Sequence, residues 1–400
     1  MERARSPFHF FLVGQGILAL GESIRFIAVT MLIYDLTGSG ISAATGVALS
    51  ALPGILLSPF AGVLGDRIRN GRILMLIDLA RSLVTSLFLL SATVGHVYML
   101  LIIVSLLDVF YLPSRRKFIL MLTGRKDAIR ANSSLTGVNG AAYLAGPLLT
   151  GVFTDRHGYA QVILIAAACC IAASVMTLLS LFAAGDERKF VSREKREGLE
   201  FSHALKYCRT DHHVRELLRI GIIIGVCSLC VNLAFYPFAF DLLKVTARGW
   251  SLMITIYYGT NLIAMLLIRC NAKRIKGHEA CMFYFSLLTV SLIWLVYAFT
   301  GNYAVVLILQ FTEGILISGC GILLAARFQR LIDKNYMARI SALYELLSSV
   351  GKLAGMGCVV MILRSFSFNE VFVFSSLIMA LFAGIRLAGS RRSRNSRDSV

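Results

Sequence analysis

The sequence predicts an all-α membrane protein: twelve transmembrane helices in two pseudo-symmetric six-helix bundles, with both termini cytoplasmic. Three observations predict it: a large apolar excess, the regular return of helix-length apolar windows, and the one-sided distribution of lysine and arginine. Of 400 residues, 57% are hydrophobic and 16% charged, and the mean hydropathy is +0.74. A soluble domain could not enclose that much apolar surface in a core. A bilayer-crossing helix needs roughly 17 to 25 largely apolar residues. Windows of that kind fall at 8–34, 41–64, 73–94, 97–114, 131–154, 159–184, 217–240, 249–269, 279–299, 303–326, 338–363 and 368–388. The first follows MERARSP, but its apolar run is too long for a secretory signal and no small-residue cleavage site follows. It reads as an uncleaved first helix.

With the N-terminus inside and twelve alternating crossings, 33 of the 40 lysines and arginines fall on the cytoplasmic side. Four fall outside (Arg156, Lys244, Arg248, Arg364) and three within helices (Arg25, Arg81, Lys352). Miscounting one helix would send every later basic loop to the other face, so the bias supports both the count and the orientation. The formal charge of +18 and the pI near 9.8 thus have a topological cause, and no nucleic-acid partner is expected.

The polar run AGDERKFVSREKREGLEFSHALKYCRTDHHVREL separates two halves. The expected domains are an N-terminal bundle at 1–184, a cytoplasmic linker at 185–216, a C-terminal bundle at 217–388 and a basic cytoplasmic tail at 389–400. The halves also share a motif: DRIRNG follows the second window and KRIKGH the eighth, aligning Arg67 with Arg274 and Ile68 with Ile275. Internal repeats of this sort are typical of secondary transporters, whose substrate site lies between the halves near the midplane.

Residues 62–72, GVLGDRIRNGR, resemble the loop pattern G-x-L-x-D-R-x-G-R-[KR] of the major facilitator superfamily, with Gly62, Leu64, Asp66 and Arg67 in register. Arg69 stands where that pattern has glycine, a variation similar to the macrolide-efflux-like drug:proton antiporter branch. GQGILALGES in the first window, YDLTGS after it, and the Asp78–Arg81 spacing are also similar to that branch. In the fifth window, GVNGAAYLAGPLLTG resembles the antiporter pattern ending G-P-x-x-G-G, with Thr150 in place of one glycine. The usual arginine of the fourth helix is absent; Asp108 is the charge there before Arg115.

The resemblance implies that Asp66 meets a helix N-terminus, which carries roughly half a positive charge, and latches the protein closed on the inside. Gly62, Arg67, Arg72 and Arg115 would belong to the same gate, the arginines serving equally as topology anchors. Gly146 and Pro147 suit a moving helix interface, because glycine lets backbones approach and proline bends the helix. In the family, the first, fourth, seventh and tenth helices line the cavity. That makes Gln15, Arg25, Phe26, Tyr111, Asn232, Phe235, Tyr236 and Gln310 substrate-cavity candidates. An apolar, aromatic lining suits a hydrophobic or cationic molecule.

Charge deep within helices is the chemically informative feature, because an ionised group at the bilayer centre costs about 3 kcal/mol or more. Glu313 has no basic neighbour within a turn, which makes it the leading candidate to bind a coupling proton; Glu22 and Asp108 are the others. Glu22 and Arg25, spaced i and i+3, form a static pair or take part in coupling. Asp78, Arg81 and Glu345 read as packing or latch charges.

Nine cysteines, an odd number mostly within helices, imply no disulfide framework, and the Cys227–Cys230 pair lacks further metal ligands. There is no P-loop and no nucleophile elbow, so neither ATP drive nor an enzyme is expected, and no cofactor or metal. The expectation is a monomeric secondary transporter of the inner cell membrane, exporting a small amphipathic or drug-like molecule against protons within a lipid bilayer. Alternatives are a siderophore, peptide antibiotic, metal or lysophospholipid on the same fold, and more distantly a non-transporting sensor or assembly protein.

Overall fold

The computed structural model describes residues 7–64, 70–184, 211–271, 275, 278–332, 337–365 and 367–395. Among them there is no strand. In chain order the helices are α1 (Pro7–Thr37), α2 (Gly40–Leu64), α3 (Asn70–Leu87), α4 (Val94–Ala184), α5 (His212–Pro237), α6 (Ala247–Cys270), α7 (Glu279–Tyr297), α8 (Tyr303–Leu331), α9 (Met337–Ser365) and α10 (Phe368–Asn395). Local chemistry sets several ends. Gly38, at φ +64°, adopts the left-handed conformation that terminates α1 and donates its N–H to the Tyr34 carbonyl at 2.7 Å. Asn302 caps α8, its side-chain oxygen accepting from the N–H groups of Ala304 (2.9 Å) and Val305 (3.4 Å). After Pro237, α5 loosens into a π-helical turn, Phe238–Leu242, ahead of Lys244 at φ +50°.

Helix α4 contains the fourth, fifth and sixth windows in one hydrogen-bonded stretch. It is not one straight rod: Tyr111 and Cys170 share a buried cluster with Phe11, Leu18 and Leu74, whereas 59 residues of straight helix would hold them about 90 Å apart. The stretch folds back on itself, and Gly158, at φ +76°, is one position where its direction changes. Eleven helical segments among the described residues are long and apolar enough to cross a membrane. Val94–Thr123 and Gly158–Ala184 are two of them, while the fifth window between is not, because Asn132, Ser133, Ser134 and Asn139 dilute its apolar run.

The chain divides into two compact units, Met1–Glu194 with Lys244–Thr255, and Lys195–Leu243 with Ile256–Val400. The short segment Lys244–Thr255 thus groups with the first unit although it follows the linker. In the first unit α1, α2 and α3 all pack on α4. Small residues bring α1 close: a Cβ on Gly21 would stand 2.6 Å from Cys169 Cβ, and one on Gly146 2.6 Å from Ser23 Cβ. In the second unit the close pair is α5 with α9, while α7 packs on α8 and α10.

Candidate functional site

Among the described residues, acids are buried at three places, one in the first unit and two in the second, each assembled from more than one helix. In the first unit the centre is Arg81 of α3, whose side chain is 4% exposed. Its Nη1 lies 3.2 Å from Glu22 of α1 and 3.5 Å from Asp78 one turn earlier on α3, while its Nη2 donates to Asp108 of α4. Its guanidinium stacks over the Tyr111 ring at 4.1 Å. Tyr111 Oη in turn accepts from Gln15 Nε2 at 2.6 Å, and Gln15 Oε1 accepts a long hydrogen bond from Arg115 at 3.4 Å. Three carboxylates therefore surround one guanidinium. They differ in exposure: the Asp108 side chain is 42% exposed, Glu22 26% and Asp78 fully buried.

This places Glu22 beside Arg81, and no Glu22–Arg25 ion pair forms among the described residues. The reason is desolvation. A guanidinium as buried as that of Arg81 must be paired, whereas Arg25 is only half-buried. Asp78 and Arg81 are thus the hub of a buried network. The signal available for them in the sequence was their position inside an apolar window at i, i+3 spacing.

In the second unit, Glu313 of α8 is 6% exposed. Its Oε1 accepts from Trp294 Nε1 at 2.7 Å and its Oε2 from Tyr297 Oη at 2.8 Å, both donors on α7. No cation lies within ion-pair distance of it among the described residues. A tyrosine hydroxyl can donate or accept, so the pocket satisfies Glu313 in either protonation state: ionised, it accepts twice; neutral, its own O–H turns to Tyr297. The other buried acid here, Glu216 of α5, has a full counter-charge in Arg327 of α8 at 3.0 Å and accepts a hydrogen bond from Tyr284 of α7. The Arg327 guanidinium also lies 5.5 Å from the Tyr284 ring. Glu216 is not among the residues the sequence singles out, and Arg327 counts there only as one of the 33 cytoplasmic basic residues.

The remaining sequence candidates scatter. Asp66 and Arg67 lie outside the described residues, as does the local environment of Gly62 near the end of α2. Arg72 is exposed at the start of α3. Pro147 is buried in α4 beside Gly146, whose carbonyl accepts from Thr150 Oγ1 at 2.8 Å. Phe235 belongs to an aromatic core with Phe238 (5.6 Å) and Tyr297 (5.7 Å), and Tyr236 lies against Phe240 at 6.3 Å. Phe26 and Asn232 are exposed, and buried Gln310 leaves its Oε1 without a hydrogen-bond partner among the described residues. No cluster of three or more metal-binding side chains occurs among the described residues.

No curated protein matches the chain. Among solved structures, the nucleoside transporter NupG is similar with a TM-score of 0.73 at 11% sequence identity, covering 96% of this chain and 99% of that one. A bacterial homologue of the human lysosomal transporter Spinster, solved in an inward-facing and occupied conformation, is similar with a TM-score of 0.66 at 13% identity, covering 96% of each chain. These likenesses establish the fold. The description of the Major Facilitator Superfamily matches residues 11–356. With that match and eleven helical segments fit to cross a membrane, the chain is a multi-pass membrane protein that belongs to the Major Facilitator Superfamily.

Proposed function

We propose that this protein is a secondary active transporter that exports a small amphipathic or hydrophobic molecule, drug-like in character, in exchange for protons by alternating access. The observation that carries the reading is Glu313. A desolvated acid with no cation beside it, held by one donor that can reverse its role, is built to hold and release a proton without disturbing the packing around it. Glu22 and Asp108, both partly exposed, are further coupling candidates. Phe26, Arg25, Asn232 and Gln310 are the side chains proposed to meet substrate, and Asp66 with Arg67, Arg72 and Arg115 the cytoplasmic gate. The topology proposed with it has twelve spans with both termini in the cytoplasm, in the inner membrane, working as a monomer.

Substrate binding drives such a cycle only through different affinity for the two states. The test is transport in proteoliposomes with and without an imposed pH gradient, using a panel of a lipophilic dye, a nucleoside, a siderophore, a peptide antibiotic and a lysophospholipid. Gradient-dependent movement of the dye supports the reading. Movement of another class alone changes the substrate, and no movement of any of them removes the transport claim.

A further inference from the structure

Three acids are buried among the described residues: Asp78, Glu216 and Glu313. Glu216 has its own arginine, and Glu313 has two hydrogen-bond donors. Asp78 is the most buried of the three and the worst provided for. Its side chain is fully buried, its Oδ1 has a distant share of Arg81 at 3.5 Å, and its Oδ2 finds no hydrogen-bond partner among the described residues. Arg81 lies nearer to Glu22 and Asp108 than to Asp78. The titratable and charged groups facing Asp78 are Arg81 on its own helix, Glu22 from α1, and Asp108, Tyr111 and Cys170 from α4, so one cation serves three acids.

Resting on the proton-coupled reading above, we propose that Asp78 is a second proton-carrying residue of this transporter, its proton on the bare Oδ2, and that Arg81 governs its release. While Arg81 is held by Glu22 and Asp108, an ionised Asp78 would be a desolvated carboxylate with one unsatisfied oxygen, among the costliest arrangements in a protein interior. The neutral acid removes that cost. Glu22 and Asp108, both partly exposed, are the carboxylates that hold the guanidinium. If either lets go of Arg81, the guanidinium is free to pair with Asp78, which then gives up its proton. The two partly exposed carboxylates thereby control the closed one.

Infrared difference spectroscopy of the full-length protein in lipid nanodiscs tests this without substrate or gradient, so its failure is distinguishable from failure of the export reading. Glu313→Gln serves as the reference, removing the other uncharged-acid candidate. At neutral pH the reference is expected to show the C=O stretch of a protonated carboxyl that shifts in D2O, and adding Asp78→Asn should abolish the band. Adding Glu22→Gln with Asp108→Asn instead leaves Asp78 in place but frees Arg81 for it, and the band should again be lost. That second variant decides the matter if Asp78→Asn folds poorly. A reference with no such band, a band that survives Asp78→Asn, or a band unchanged by the paired variant overturns the proposal.

Discussion

The contact between α5 and α9 gives a prediction whose size follows from geometry. A Cβ placed on Gly351 would stand 2.5 Å from the Ile222 carbonyl oxygen, one on Gly355 2.6 Å from that of Val226, and one on Gly225 2.5 Å from that of Ser348. These neighbours are backbone, so nothing can swing aside. Ordinary contact begins near 3.4 Å, and Gly351→Ala therefore requires the helices to part by roughly 0.9 Å, an overpacking that costs about 1–3 kcal/mol. Helix propensity alone favours alanine by about 1 kcal/mol. Gly357 on the same helix has nothing within 4 Å of its Cβ position, so Gly357→Ala receives the propensity gain and no clash. The propensity term cancels between the two variants, leaving Gly351→Ala less stable than Gly357→Ala by about 1–3 kcal/mol. Equilibrium unfolding of purified protein in mixed detergent micelles measures that difference. Equal stabilities would refute the claim that the two backbones touch here.

The other predictions concern topology, gate and coupling. In a background with the native cysteines replaced, a cysteine at Val191 should be shielded from an impermeant thiol reagent added outside intact cells while Asn302→Cys is labelled; the reverse pattern would invert the orientation. Asp66→Asn keeps the shape of the side chain but removes its charge, so export should slow several-fold with normal membrane insertion; wild-type export would leave Asp66 no part in gating. Glu313→Gln should fold, because its amide oxygen can accept from Trp294 while its NH2 donates to Tyr297. It should lose gradient-driven export and retain passive exchange. Glu313→Leu, by contrast, strands two buried donors at about 1–3 kcal/mol each, and folded yield should fall. Full gradient-driven export by Glu313→Gln would remove Glu313 from coupling.

Much of the fold was legible because the bilayer reduces helix prediction to length and hydropathy. The first window, 8–34, lies within Pro7–Thr37, and the tenth, 303–326, within Tyr303–Leu331. The fifth was harder: its small and polar residues make a helix that packs tightly, as Gly146 does on Ser23, yet they lower its hydropathy below that of its neighbours. The site was legible only in part. That Glu313 lacks a cation along its own helix follows from residue spacing. That Trp294 and Tyr297 cover it does not, because periodicity within one helix says nothing about which face of another it meets. For the same reason Glu22 looks paired with Arg25 in sequence and is paired with Arg81 in space. Its partner lies on another helix, and burial decides which of two arginines most needs a carboxylate. Asp66 lies outside the described residues, so the gating role proposed for it rests on the family resemblance of GVLGDRIRNGR.

Proton exchange requires that substrate leaving through the protein drag protons the other way. Proteoliposomes are loaded with a pH-sensitive dye at equal internal and external pH, with the membrane potential clamped, and given an outwardly directed gradient of a transported lipophilic compound. The interior should acidify as the compound leaves, and Glu313→Gln should abolish the acidification while passive exchange of the compound continues. Efflux of the compound with an unchanged internal pH in the wild-type protein would contradict proton exchange.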